Sequence, residues 1–297
     1  MMGRLGARCL LALFWLLHWL PLPVLAALGQ GLGWLVWPLA RSRRRIVLIN
    51  LAHCFPEMPE PQRRRLAREH FGWLMRSLLE RSLLLYASPE RLRRLVLVDD
   101  EEALQLAQRN GRPTMWLLPH FMGLEFVGPA LLLRQTRPVA DVYQRQPNPV
   151  FDAALCHARA RLGAAVLIER SQGVRPVIRA IHDGAIFLNA PDMDFGRKDS
   201  AFVPFFGVPT NTLLSPSRMA RTLNLQVQTM TLEFLPKGRG YLLRMGPPPP
   251  GFDDPDPVAA AAAWNRWLET QILTMPAQYY WVHRRFKTRP PGEAKFY

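Results

Sequence analysis

The segment Thr114-Met115-Trp116-Leu117-Leu118-Pro119-His120-Phe121-Met122-Gly123-Leu124-Glu125 sets the reading of the whole chain. A short apolar run ends at a proline, which cannot donate to a sheet, and a histidine follows at once. Gly123–Arg134 then reads as a helix. The unit is strand, loop, helix, and it repeats downstream. Pro138–Tyr143 reads as strand and Pro149–Leu162 as helix. Ala165–Ile168 is strand, Val174–His182 helix and Ala185–Asn189 strand. Ser215–Leu223 is helix, Leu225–Phe234 and Tyr241–Met245 are paired strands, and Pro257–Thr274 is a helix rich in Ala and Trp. Such alternation predicts an α/β fold, a mixed or parallel sheet flanked by helices. There are no repeats, and Pro247–Pro250 with Gly251 reads as a rigid connector.

Composition supports a folded body. Of 297 residues, 49% are hydrophobic and 21% charged, which excludes a disordered chain. Three cysteines cannot carry a disulfide framework, and Cys9, Cys54 and Cys156 form no CxxC pair for structural zinc. The net charge of +15 admits nucleic acid, an anionic membrane or an acidic protein as partner. Its distribution separates these. The first 98 residues carry +10 of it, and the remaining 199 only +5. A nucleic-acid surface on the globular body is therefore disfavoured.

Upstream, Cys9–Ala40 is a 32-residue stretch without Asp, Glu, Lys or Arg, followed by Arg41-Ser42-Arg43-Arg44-Arg45. A span needs about 20 apolar residues. The pattern predicts one membrane helix over 9–28 and an interfacial stretch at Leu32–Leu39, with Trp34 and Trp37 at headgroup level. A cleaved signal ending near Val24-Leu25-Ala26 and a buried core helix compete with it. Dense basic charge after the apolar run favours a retained anchor with a cytoplasmic body, where the thiols are reduced. The expected division is 1–45 as anchor and basic flank and 46–297 as the catalytic body, of which 46–98 is helical and membrane-proximal. Within it, 61–86 reads as a long amphipathic helix. Leu66, Phe71, Leu74, Leu78 and Leu85 form its apolar face; Arg63, Arg64, Arg65, Arg68 and Arg76 supply solvated or lipid-facing charge.

Three strand ends carry chemistry, since ligands of open α/β sheets bind at carboxyl ends. At the first, Glu125 is placed to hold one nitrogen of His120 and leave the other as a base; a satisfied core histidine is the plain alternative. At the second, Pro191-Asp192-Met193-Asp194-Phe195-Gly196 follows a strand. Asp-x-Asp there suits a divalent cation and a nucleotide sugar, a glycosyltransferase reading, although no Gly-rich phosphate loop accompanies it; exposed acids of a turn are the alternative. At the third, Tyr280-Trp281-Val282-His283-Arg284-Arg285-Phe286-Lys287-Thr288-Arg289 interleaves bases with aromatics, suited to nucleic acid, to a phosphorylated lipid headgroup, or to solvent alone. Arg159 and Arg161, two apart near a helix end, cannot share a face, so one points to the site and the other to solvent. No Gly-x-Ser-x-Gly elbow is present.

Together these residues resemble the bacterial lipid A late acyltransferases of the lauroyl/myristoyl type, over roughly residues 10–292. Asn50-Leu51 with Cys54-Phe55-Pro56-Glu57 is similar to that family's N-terminal signature. His120 to Glu125 matches its His, four residues, acid motif, which other glycerolipid acyltransferases share. Tyr143-Gln144-Arg145-Gln146-Pro147-Asn148-Pro149, Pro191–Gly196 and Pro276–Pro290 match further blocks, the last long and specific. The resemblance implies a glycerolipid-acyltransferase-like fold and an inner-membrane enzyme, single-pass or monotopic, with its catalytic domain in the cytoplasm. It implies transfer of an acyl chain from acyl carrier protein to a hydroxyl of a phosphorylated lipid A precursor, without metal or cofactor. It places functional roles on His120, Glu125, Arg159 and Asp192. Arg145, Asp194, Arg284, Arg285, Lys287 and Arg289 are the expected substrate-binding set, and anionic inner-membrane lipid the expected surface. An acyltransferase acting on a lysophospholipid or an amino-acid lipid is the alternative with the same chemistry.

Overall fold

The strand Thr114–Leu117 (β2) lies at the centre of a seven-stranded mixed sheet. The computed structural model describes residues 3–109 and 111–297. In chain order the other sheet strands are β1 (Val96–Val98), β3 (Val139–Tyr143), β4 (Ala165–Glu169), β5 (Ile186–Asn189), β8 (Gln226–Phe234) and β9 (Tyr241–Gly246), in spatial order β1-β9-β8-β2-β5-β3-β4. Pairing is parallel except between β8 and β9, which run antiparallel. The expected mixed sheet and its paired strands are therefore observed. A hairpin outside the sheet, β6 (Ser200–Phe205) and β7 (Val208–Leu213), was not anticipated.

Both faces of β2 are buried, as a central strand between helical layers requires. Its alternation sorts the core. Trp116 packs with Phe126, Val127, Leu232, Phe234 and Tyr241 on one face. Met115 and Leu117 pack on the other with Ile168, Val177, Phe187 and Trp264. The first face is covered by helices α4 (Glu60–Tyr86) and α7 (Leu124–Leu132), the second by α9 (Arg175–His182) and α11 (Pro257–Thr274). A third cluster joins Val47, Leu51 and Phe71 to Tyr279, Trp281 and Phe286, so the C-terminal segment is part of the core.

The N-terminal region differs from expectation. There is no single helix over 9–28: α1 (Arg4–Leu17) ends at His18, and α2 (Leu22–Leu39) begins after Pro21. Proline removes an N–H and disfavours helical geometry in the residue before it, which ends the first helix there. The stretch 32–39, expected at the interface, completes α2. That helix, 18 residues of mean hydropathy 1.4, is long and apolar enough to cross a membrane by length and composition. It packs on α4 through Gly29 and Gly33, which face the Arg76 backbone and Gly72. Helix α3 (Arg41–Cys54) follows and runs through the expected boundary at 45/46.

Helix α4 matches the expected long helix, yet its charge is not all on a solvated face. Arg76 is buried and paired with buried Glu80. Arg76 also donates to the Leu235 carbonyl, 2.7 Å, and Glu80 accepts from the Tyr241 hydroxyl, 2.7 Å. These bonds satisfy part of the buried pair, while Arg76 Nη2 makes no hydrogen bond among the described residues and the guanidinium lies 5.1 Å over the Trp73 and Phe234 rings. The cysteines are free thiols.

Candidate active site

Sheet order creates the site. Because β2 and β5 are parallel neighbours, Leu117 lies opposite Asn189, and the Leu118 N–H donates to the Asn189 carbonyl, 3.0 Å. The chain leaves both strands at one level, which brings Pro119-His120 beside Pro191-Asp192. Asp192 holds residue 120 at two points. Oδ1 lies 2.6 Å from the ring Nδ1, and Oδ2 accepts the His120 backbone N–H at 3.0 Å. Asp192 is fully buried and the His120 side chain is 18% exposed. A carboxylate at Nδ1 assigns the proton there and leaves Nε2 as the ring's acceptor. Burial pushes the Asp192 carboxyl up, but the His120 charge and both hydrogen bonds outweigh it and bring the pKa down to about 2.

The expected Glu125–His120 hydrogen bond is absent among the described residues. Glu125 stands in the first turn of α7 and is gripped by Arg159 from α8 (Pro149–Ala160): Nε to Oε2 3.1 Å and Nη2 to Oε1 3.0 Å. Arg81 of α4 approaches at 3.7 Å. Burial raises the Glu125 pKa, but Arg159 and then Arg81 lower it to about 2. The remaining Arg159 nitrogen meets Asp141 of β3 at 3.2 Å. Burial raises the Asp141 pKa against the opposing pull of Arg159. Arg159 therefore joins α7, α8 and β3, and its nitrogens are all committed to carboxylates. Its neighbour Arg161 does not point to solvent. It donates to the Leu83, Leu84 and Ala87 carbonyls at the end of α4, which terminates that helix.

Two members of this cluster were missed in the sequence. Asp141 carried a signal, an acid inside a predicted apolar strand. Arg81 carried none, being one of many arginines along α4.

The C-terminal segment closes the site from behind. Met122 N–H donates to the Gln278 carbonyl, 2.8 Å, and Tyr280 N–H to the His120 carbonyl, 2.9 Å. Phe121 and Tyr279 form an antiparallel bridge. Tyr279 is fully buried with its hydroxyl beside Asp192, and burial drives its pKa up. His283 bonds the Tyr280 carbonyl through Nδ1, 2.7 Å; burial lowers its pKa to about 4, so the ring is neutral. Asn50 fixes this loop by donating to the Trp281 and His283 carbonyls, both 2.8 Å.

The expected substrate-binding residues fall into two groups. Arg285 and Arg289 face inward. Arg285 donates to the Asn211 carbonyl at 3.1 Å and lies 5.0 Å over the Phe205 ring. Arg289 donates to the Pro209 carbonyl at 2.7 Å, pairs with Glu293 and lies 4.0 Å over Phe296. Asp194 accepts from the Thr288 N–H and hydroxyl, 2.6 and 2.9 Å, and from the Gly196 N–H, 3.0 Å. Asp192 and Asp194 thus serve different partners, and no metal-binding group of three acids, cysteines or histidines occurs among the described residues. The Asp-x-Asp cation reading loses its donor set. Arg284 and Lys287 are exposed, and Arg145 is 64% exposed, 3.8 Å from Asp152.

The sequence model for the family described as bacterial lipid A biosynthesis acyltransferase matches residues 4–288. The chain is 33% identical to the lipid A biosynthesis palmitoleoyltransferase of Escherichia coli strain K12, over 97% of this chain and 92% of that protein. It is 33% identical to the lauroyltransferase of the same strain, over 95% and 91%, and 30% identical to its myristoyltransferase, over 93% and 83%.

Proposed function

The chain belongs to the bacterial lipid A biosynthesis acyltransferase family, and on that footing we propose that it transfers a fatty acyl chain from acyl carrier protein to a hydroxyl of a phosphorylated lipid A precursor. The observation that carries the mechanism is the His120–Asp192 pair at the adjoining ends of β2 and β5. His120 Nε2 takes the proton of the acceptor hydroxyl as its oxygen attacks the thioester carbonyl carbon. The new C–O bond gives a tetrahedral oxyanion. Collapse breaks the C–S bond, and the proton on Nε2 passes to the departing thiolate, leaving ester and free thiol. Asp192 stabilises the imidazolium in between and keeps the ring from turning. General-base assistance of this kind contributes roughly 10²–10⁴-fold.

Glu125 and Arg159 have a positioning role in this reading. They fix α7 and α8 around the loop that carries His120, and Glu125 adds negative charge near the ring. Arg159 has its nitrogens on carboxylates, and the Phe121 and Met122 N–H groups are taken by the Pro119 and Gln278 carbonyls. The Gly123 N–H makes no hydrogen bond among the described residues and is the better oxyanion donor.

Residues left exposed on α1, α2 and the turn between them, among them Trp15, Leu16, Trp19, Trp34, Leu35 and Leu39, support docking to the inner membrane from the cytoplasmic side. The decisive experiment incubates membranes carrying the protein with labelled acyl-carrier-protein thioesters and the phosphorylated lipid A precursor. A product heavier by one acyl group is expected by mass spectrometry. Acylation of a glycerophospholipid instead, or of nothing with any donor, would sink the reading.

A further inference from the structure

The arginine cluster Arg41–Arg45 does not act as a block. Arg43 turns inward to the Val282 carbonyl, 3.2 Å, and Arg44 folds over Trp37 and donates to its carbonyl, 3.2 Å. Arg41 and Arg45, one helical turn apart on α3, line a recess of about 340 Å³ together with Arg284. Ile46 and Ile49 form its apolar floor, and the Tyr297 ring lies 5.8 Å from the Arg284 guanidinium. No carboxylate lies within ion-pair distance of these three arginines among the described residues. Three arginines from two distant parts of the chain thus line one concavity without an ion-pair partner among the described residues.

Guanidinium groups pair bidentately with tetrahedral oxyanions, and three of them suit a group bearing close to two negative charges. A phosphate monoester meets that description better than a diester. The recess is of small-molecule size and concave, which suits a headgroup rather than the surface of an acidic protein. It is tied to the loop carrying His120 through the C-terminal segment. Tyr280 N–H holds the His120 carbonyl, and Arg284 follows four residues later. At up to about 3.5 Å per residue, the recess wall and the base lie within roughly 20 Å of each other.

We infer that the Arg41–Arg45–Arg284 recess binds a phosphate monoester of the acceptor lipid and thereby sets which hydroxyl reaches His120. The inference rests on the acyl-transfer reading above and names the acceptor's anchoring point.

The full chain in detergent is assayed with the phosphorylated lipid A precursor and with the same lipid after phosphatase treatment. In Arg41→Ala and Arg284→Ala, the preference for the phosphorylated acceptor, measured as a ratio of kcat/KM values, falls roughly tenfold for each guanidinium removed. Arg45→Glu lowers it further. Melting temperatures report that these exposed-site variants are folded. Millimolar inorganic phosphate competes with the acceptor in the parent protein and not in Arg284→Ala. An unchanged preference ratio overturns the inference, and so does a rise confined to the KM of the acyl donor, which would give the recess to the carrier protein. Competition by phosphatidylglycerol vesicles but not by phosphate would also overturn it, as general membrane adhesion. Should the parent protein acylate no lipid A precursor, the function fails separately. Calorimetric titration of inorganic phosphate into parent and Arg284→Ala then decides the recess by itself.

Discussion

Asp192 accepts from both the ring and the backbone of residue 120, so its replacement removes orientation as well as charge. Asp192→Asn keeps the shape but favours the wrong tautomer, and kcat is expected to fall by roughly 10²–10⁴ with KM little changed, read by steady-state kinetics on both substrates. Arg159→Ala acts differently. It leaves Glu125 and Asp141 without their shared cation. Breaking a buried pair costs about 3–5 kcal/mol, and the partial exposure here reduces that to roughly 2, seen as a melting temperature lower by several degrees. His120 was legible from its place after a predicted strand. Its partner was not. Glu125, five residues on, is the local choice, whereas Asp192 becomes a neighbour only because β5 pairs with β2, and a single sequence does not fix strand order.

At the scale of elements, strand and helix alternation from 114 to 274 was readable from hydrophobic periodicity and proline punctuation, and α11 has the expected bounds. The β6–β7 hairpin escaped for a physical reason. Its two-residue turn is Phe206-Gly207, with both φ in the left-handed region, 49° and 74°, a conformation usually signalled by Asn-Gly. Phe206 is held there by its N–H bond to Glu269, 2.7 Å, a contact made 63 residues away in sequence. The split of α1 from α2 had its signal in Pro21, but the apolar run outweighed it. Packing of α2 on α4 gives a matched pair of predictions. A Cβ at Gly33 would lie 2.5 Å from the Gly72 Cα, so Gly33→Ala should lower stability by about 1–3 kcal/mol in thermal melts. Gly31 faces open space, and Gly31→Ala should be neutral or stabilising by up to about 1 kcal/mol.

For the whole molecule, pH reports how the layers are joined. His70 of α4 is fully buried against the Ala277 carbonyl, 3.0 Å, and burial lowers its pKa from 6.5 to about 4. Its unfolded form binds a proton at higher pH than its folded form. Stability is therefore complete above about 6.5 and declines as pH falls toward 4, by on the order of 3 kcal/mol from this group. His283 pulls the same way. Asp192 and Glu125, with folded values of about 2, add a second loss as pH drops below their ordinary range near 4. Melts from pH 8 to 3 should show two descending stages, the first flattened by His70→Gln.

The bonds from Tyr280 to His120 and from Met122 to Gln278 also impose an order in time. Synthesis proceeds at about 5–20 residues per second, so a nascent chain carries His120 for roughly ten to thirty seconds before the segment that fixes it exists. A chain interrupted between Asp192 and Gln278 holds His120, Glu125, Arg159 and Asp192 and still lacks the backbone partners that seat the loop carrying His120. The His120 loop gains its full set of backbone bonds only once residues 278–280 have been made.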